Sequence, residues 1–261
     1  MASDFYKRDW DIASTKPLEA LGLLNGYYEC PKDVSGKRLG PLVGYAGKYT
    51  ITQGSERGVQ KQFVGDIYAN FAKAENRPRV YDNWADRMKF DIGSLGLDVV
   101  LGMPMGGIAA AFAMSRYNGN GGARFCFAEK KVTAVATETM REQSMLTLGR
   151  HELYEGERVG IGEDVVNNLS TTAEAVKLIR ASGAEPVAIL CWLNCSPTQI
   201  YESDGLALPI VSLIWKPFPQ YRQDDPEVAE DIARGNVVLK PKNDWPRLME
   251  TMETNRPRSV W

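Results

Sequence analysis

The residues best suited to chemistry in this chain are Glu163 and Asp164, two adjacent carboxylates that close the apolar run Arg158 to Gly162. Carboxylates accept hydrogen bonds from sugar hydroxyls or hold a hydrated magnesium ion. After them come Val165, Val166, Asn167, Asn168, Leu169, Ser170, Thr171 and Thr172, which lead into a helical pattern. Its start is marked by Thr171 with Glu174 three residues on, the spacing of a capping box. Hydroxyls and unpaired amides at a helix start cradle phosphate. A ligand with a polyhydroxylated ring and a terminal phosphate satisfies both halves of this segment. The plainer alternative is that Glu163 and Asp164 are solvated loop residues and Ser170 to Thr172 only cap a helix. A second segment, Gly102-Met103-Pro104-Met105-Gly106-Gly107, lacks side chains where backbone amides would approach an anion at the next helix start. A tight strand-to-helix turn has the same composition.

Several other chemistries are excluded. His151 is the only histidine, so a histidine-based triad or a multi-histidine metal site would rest on one residue. Cys30, Cys126, Cys191 and Cys195 are irregularly spaced, and Cys191 and Cys195 form a C-x3-C pair without zinc-ligand spacing. They read as reduced, buried thiols. Lys and Arg number 31 against 33 Asp and Glu, a net charge of -2 that offers no basic field for a nucleic-acid backbone. No apolar run is long enough to span a membrane, and Met1 to Trp10 carries charges where a signal peptide is apolar, so a cytoplasmic location is expected.

The elements that must position these residues follow from the pattern. From Leu97 onward, short apolar runs alternate with glycine-bearing turns and helical segments, the pattern of an α/β domain built on a parallel sheet. Strands are predicted at Asp98 to Leu101, Arg124 to Ala128, Arg158 to Gly162, Pro186 to Leu193 and Ile210 to Trp215. Helices are predicted at Ile108 to Tyr117 and at Thr171 to Ser182, the second closed by Gly183. Glu129 to His151 reads as a polar stretch, and Glu163 to Ser170 as a loop. Before Leu97 a helical spacing runs through Phe63, Ile67, Tyr68 and Phe71. After Trp215, helical stretches are expected at Pro226 to Ala233 and Trp245 to Met252. In an open parallel sheet, loops leaving the carboxyl ends of strands line a common crevice, and both candidate segments are such loops.

Gly162 to Ala175, GEDVVNNLSTTAEA, resembles the phosphoribosyl-diphosphate-binding signature of the type I phosphoribosyltransferases. The flanking text from Gly156 to Leu190, and LDVVLGMPMGGIAAAFA from Leu97 to Ala113, are similar to orotate phosphoribosyltransferases in particular. The likeness spans Leu97 to Leu193. It implies a Rossmann-like open parallel sheet as a core over residues 96–216. Residues 1–95, the C-terminal tail or both would form the hood over the base, and 217–261 an extension packed on the core. It further implies that Glu163 and Asp164 contact the ribose 2- and 3-hydroxyls. Val166, Asn167, Asn168, Leu169, Ser170 and Thr171 would wrap the 5-phosphate, and Met103, Pro104, Met105, Gly106 and Gly107 would face the diphosphate. Mg²⁺ would enter on the diphosphate oxygens. The activity implied is transfer of a phosphoribosyl group to a nucleobase, orotate first and another pyrimidine or a purine next, in a homodimer.

Two segments depart from the family pattern. Asn168-Leu169 stands where Thr-Gly is usual; a leucine resists a positive φ, which Asn168 tolerates better. In the loop expected to close over the reactants, 129–150, the basic residues that match are Lys130 and more loosely Lys131, with Arg141 added by charge and location. Lys130, Lys131 and Asp164 are the catalytic candidates; solvated charges on a flexible connection are the alternative for the lysines. Tyr45, Tyr49, Phe63, Trp192 and Trp215 are candidates to stack on a base, or else pack in the core. The runner-up function is a regulatory protein that senses phosphoribosyl diphosphate without catalysis, and a third is a binding domain with its phosphate pocket blocked by Leu169.

Overall fold

The computed structural model describes residues 9–52, 56–117, 121–134 and 143–255. Its chain divides into two units, Met1–Ala20 with Ala74–Pro217, and Leu21–Lys73 with Phe218–Trp261. The strands, in chain order, are β1 (Tyr27–Glu29), β2 (Leu42–Thr50), β3 (Gln60–Gly65), β4 (Ile67–Ala69), β5 (Val99–Gly102), β6 (Arg124–Phe127) and β7 (Glu129–Ala134). They continue with β8 (Gln143–Thr147), β9 (Arg158–Val166), β10 (Glu185–Asn194), β11 (Ile200–Ser203), β12 (Leu206–Trp215) and β13 (Val237–Val238). Four helices matter below: α1 (Pro78–Arg87), α2 (Lys89–Ser94), α3 (Gly106–Ser115) and α4 (Ser170–Ala181).

The first unit is the α/β domain expected from the sequence. Its six strands run in the order β11-β12-β10-β9-β5-β6, parallel except for the β11–β12 pair. The central strands are apolar almost end to end, because helices cover a parallel sheet on both faces. All four residues of β5 are buried, and β10 is buried from Ala188 to Asn194. One face packs Leu101, Met103, Ile161, Ile189 and Cys191 with Val176 and Ile179 of α4. On the other, glycines let α3 lie on the strands: a Cβ on Gly162 would stand 2.6 Å from that of Ala111, and one on Gly102 would stand 2.9 Å from the Cα of Ile108.

α4 ends as predicted, with Gly183 at φ +76° and its amide donating to the Arg180 carbonyl at 3.0 Å. Other expectations need correction. β9 runs on to Val166, so Glu163 and Asp164 lie in the strand and not in a loop, held by pairing with β10 out to Val166 opposite Asn194. Glu129 to His151 contains the antiparallel hairpin of β7 and β8, with Lys130 opposite Leu146 and Lys131 opposite Met145. Residues 135–142, which include Arg141, lie outside the described residues.

The second unit joins two distant stretches, Leu21–Lys73 and Phe218–Trp261, in one core. β2 pairs with β3 and, in parallel, with β13, while β1 pairs with β4. Tyr28, Cys30, Val43, Tyr45, Val238 and Leu248 are buried together, with Phe63 and Tyr68 packed on them. The helix suggested by Phe63, Ile67, Tyr68 and Phe71 is instead β3 and β4. Its three- and four-residue spacings arise from two strands that meet at Asp66. The Asp66 carboxylate accepts from Lys32 at 2.7 Å and from Arg38 at 2.5 Å. Burial pushes its pKa up, but these two cations hold it below the ordinary value. All four cysteines are free and buried, in keeping with the sequence.

Candidate functional site

In the first unit the chain passes from β5 to β6 on one side, then returns to lay β9 and β10 on the other. The strand order therefore reverses between β5 and β9, and the carboxyl end of that pair is where an open α/β sheet leaves a crevice. Both candidate segments emerge there. Gly102 pairs with Gly162 across the two strands, and the Met103 amide continues the ladder by donating to the Gly162 carbonyl at 2.9 Å.

That bond settles what the first segment offers. The Met103 side chain is fully buried in the core and its amide is committed. Pro104 has no N–H, and the Pro104–Met105 peptide is cis. Met105 is 84% exposed and is the N-cap of α3 without a side-chain capping bond. Gly106 and Gly107 open α3, where amides lack an intrahelical acceptor and the helix dipole favours an anion. A Cβ on Gly107 would stand 3.0 Å from the Cα of Glu163, and one on Gly106 would enter the Asp164 carboxylate. Glycine at both positions brings the helix start against the acidic pair.

Strand alternation sends the two carboxylates to opposite faces of β9. Glu163 pairs across to Cys191, on the face packed by α4. It is 9% exposed, and its pKa is pushed up to about 8, first by burial and then by the charge of Asp164, with Lys130 pulling the other way. Asp164 is half-buried, lies against Gly106, and accepts from the Val165 amide at 2.9 Å. Lys130 and Lys131 are both exposed on β7. The field of Lys130 reaches Glu163, whereas Lys131, one residue along the strand, projects from the other face.

In the second segment, Val166 is buried and its carbonyl accepts from the Cys195 amide at 2.8 Å. Asn167 is half-buried. Asn168 accepts from the Ser170 hydroxyl at 2.9 Å and from its amide at 3.2 Å. The left-handed residue is Leu169, φ 60° and ψ 12°, not Asn168. Such a conformation costs a side-chain-bearing residue about 1–2 kcal/mol, and contact of the partly buried leucine with the core offsets it. Leu169 is the N-cap of α4 with no side-chain capping bond, so the Thr171–Glu174 capping box is not formed. Ser170 begins the helix, and the amides of Thr171 and Thr172 follow within the turn that lacks intrahelical acceptors. Thr172, buried at this turn, was not among the sequence candidates; its place as the third helical residue was the signal.

Of the aromatic candidates in this unit, Trp192 is fully buried and edge-packed on Tyr81 and Trp84 at 5.1 and 5.7 Å. Trp215 is 47% exposed, its indole N–H donating to the Ser196 carbonyl at 3.1 Å. Tyr45, Tyr49 and Phe63 belong to the second unit, where Tyr49 and Phe63 pack with ring centroids 5.0 Å apart. Among the described residues, no group of three or more His, Cys, Asp or Glu side chains forms a metal cage. No helix among them is long and apolar enough to cross a membrane.

No family model matches the chain. It is 26% identical over 180 residues to orotate phosphoribosyltransferase of Caldanaerobacter subterraneus subsp. tengcongensis, covering 67% of this chain and 82% of that protein. It is 30% identical over 135 residues to orotate phosphoribosyltransferase 2 of Mesorhizobium japonicum, covering 51% of this chain and 61% of the relative. Among solved structures, orotate phosphoribosyltransferase of Mycobacterium tuberculosis aligns over 77% of this chain and 97% of its own, with 16% identity and a TM-score of 0.45. Adenine phosphoribosyltransferase of Thermoanaerobacter pseudethanolicus aligns over 65% and 94%, with 14% identity and the same TM-score. The sequence similarities are to type I phosphoribosyltransferases, a class of pentosyltransferase enzymes. Within that class, its similarity is to the orotate phosphoribosyltransferases.

Proposed function

We propose that this protein transfers a 5-phosphoribosyl group from phosphoribosyl diphosphate to a ring nitrogen of a nucleobase, with orotate the first choice. The observation that carries this reading is the acidic pair at the end of β9, set between the open N-termini of α3 and α4 where the strand order reverses. The Thr171 and Thr172 amides and the Thr171 hydroxyl hold the 5-phosphate. Asp164 accepts from a sugar hydroxyl. Glu163, which keeps its proton at neutral pH, acts as donor or acceptor to the neighbouring one.

The bond between the anomeric carbon and the diphosphate oxygen breaks as the base nitrogen bonds to that carbon, through a transition state with oxocarbenium character. The Gly106 and Gly107 amides and the Lys130 ammonium stabilise the charge that gathers on the diphosphate. No covalent nucleophile takes part. The donor set suits Mg²⁺ that keeps several waters and arrives on the diphosphate, since one half-buried carboxylate faces the α3 amides and, among the described residues, no three-ligand cage surrounds it. Such an ion supplies charge neutralisation of the leaving group.

The resemblance makes a homodimer the expected assembly, a subunit count that light scattering during size-exclusion chromatography tests. The activity is tested by following diphosphate release when phosphoribosyl diphosphate, Mg²⁺ and a panel of pyrimidine and purine bases are supplied. Release with one base, orotate first, is expected. Tight binding of phosphoribosyl diphosphate without release under any base would show a sensor instead.

A further inference from the structure

Of the two aromatic candidates in the first unit, Trp192 is taken up by the core, and Trp215 is not. Trp215 ends β12 with its side chain 47% exposed. Register shows where it stands. Cys191 pairs with Glu163 and Asn194 with Val166, so strand alternation puts Trp192 and Asn194 on the face of Asp164. Trp215 pairs in parallel with Asn194 and shares that face, two strand spacings or about 10 Å sideways from β9. Its ring is held in place. The indole N–H donates to the Ser196 carbonyl at 3.1 Å, which draws the ring toward the loop that follows β10. Ser196 is fixed in turn by the fully buried Asn194, whose Oδ1 accepts from the Ser196 amide at 3.0 Å and from its hydroxyl at 2.6 Å. The Asn194 Nδ2 donates to the Thr198 carbonyl at 2.8 Å. Between these two residues, the Cys195 amide on the Val166 carbonyl ties the same loop to the start of the phosphate segment. With its one polar atom committed, the indole offers a ligand its ring face alone.

The side from which the base enters follows from the displacement proposed for this crevice, and the inference rests on that reading. The departing diphosphate is held at the start of α3, the helix that follows β5. A nucleophile approaches the anomeric carbon from the side opposite the leaving group. For a sugar at the carboxyl end of β9, with β5 on one flank, that side is β10 and β12. We infer that Trp215 is the platform on which the incoming base stacks, a specificity residue that favours planar heteroaromatic acceptors over nucleophiles without a flat ring. The hydrogen-bonded loop Asn194 to Thr198 keeps the platform in register with the phosphate segment, so that sugar and base are held by one rigid edge of the sheet.

The test is calorimetric binding of ribose 5-phosphate and of the 5-nucleotides of orotate, uracil and adenine to the wild type, Trp215→Leu and Trp215→Phe, with tryptophan emission read in the same titrations. The wild type is expected to bind at least one nucleotide about tenfold tighter than ribose 5-phosphate, the size of one base stacked on an aromatic side chain. That nucleotide quenches the emission and ribose 5-phosphate does not. Trp215→Leu is expected to bring the ratio to within about twofold of one, with binding of ribose 5-phosphate unchanged. Trp215→Phe keeps most of the ratio, because a phenyl ring still stacks, and loses the quenching. An unchanged ratio in Trp215→Leu, a loss of ribose 5-phosphate binding in it, or quenching that persists in Trp215→Phe overturns the inference alone. So does a wild type that binds sugar and nucleotides equally. Should Trp215→Leu not fold, the emission of Trp215→Phe decides. A wild type that binds none of the four compounds overturns the reading of the crevice beneath it.

Discussion

The two faces at the end of β9 differ more than adjacent residues of one type usually do. On the α4 face, Glu163 is buried opposite Cys191 of the core, and the Lys130 charge on a neighbouring hairpin favours its ionised form. On the α3 face, Asp164 is half-buried against a helix N-terminus. One carboxyl is thereby held neutral near pH 7 and the other is placed where negative charge is favoured. Two carboxyls of like chemistry acquire different roles because a strand sends neighbours to opposite sides. Sequence adjacency alone treats them as a pair.

Removing the charge on the α3 face should cost most. Asp164→Asn is expected to lower diphosphate release by at least about tenfold, with a melting temperature within a few degrees of wild type, measured by coupled assay and calorimetry. A fall matched by Glu163→Gln at pH 7 would abolish the distinction between the faces. Lys130→Ala comes next, at about tenfold in turnover, whereas Lys131→Ala, on the opposite side of β7, should stay within about twofold.

Gly106→Ala probes the contact between the helix start and Asp164. A methyl there enters the carboxylate, so binding of phosphoribosyl diphosphate should weaken about fivefold, well short of the loss in Asp164→Asn. The smallest effect is on stability and concerns Glu163. Its folded pKa, about 8, exceeds the ordinary 4.5, so the folded state holds a proton that the unfolded state has released between those values. Stability due to this group is complete below about pH 4.5, falls as pH rises toward 8 and is flat above. The slope should stay below the ~1.4 kcal/mol per pH unit of one whole proton. Glu163→Gln should remove this slope in urea melts taken across that range.

The parallel sheet and its crevice were legible because doubly covered strands are written as continuous apolar runs, and because Gly183 ends α4 where a left-handed residue is needed. Long-range pairing was not legible. The helical spacing of Phe63, Ile67 and Tyr68 came from two strands, β3 and β4, meeting at Asp66, and β9 outran its predicted end because β10 pairs with it as far as Val166. Leu169 adopts the left-handed turn that its type disfavours, with its side chain on the core. That contact exists only after the sheet has formed.

The most direct measurement is a crystal structure with ribose 5-phosphate bound. The account predicts the phosphate on the Thr171 and Thr172 amides, a ring hydroxyl on Asp164 and the anomeric carbon turned toward Gly106 and Gly107. A phosphate bound elsewhere, or the Leu169 side chain occupying the start of α4 in its place, would contradict it.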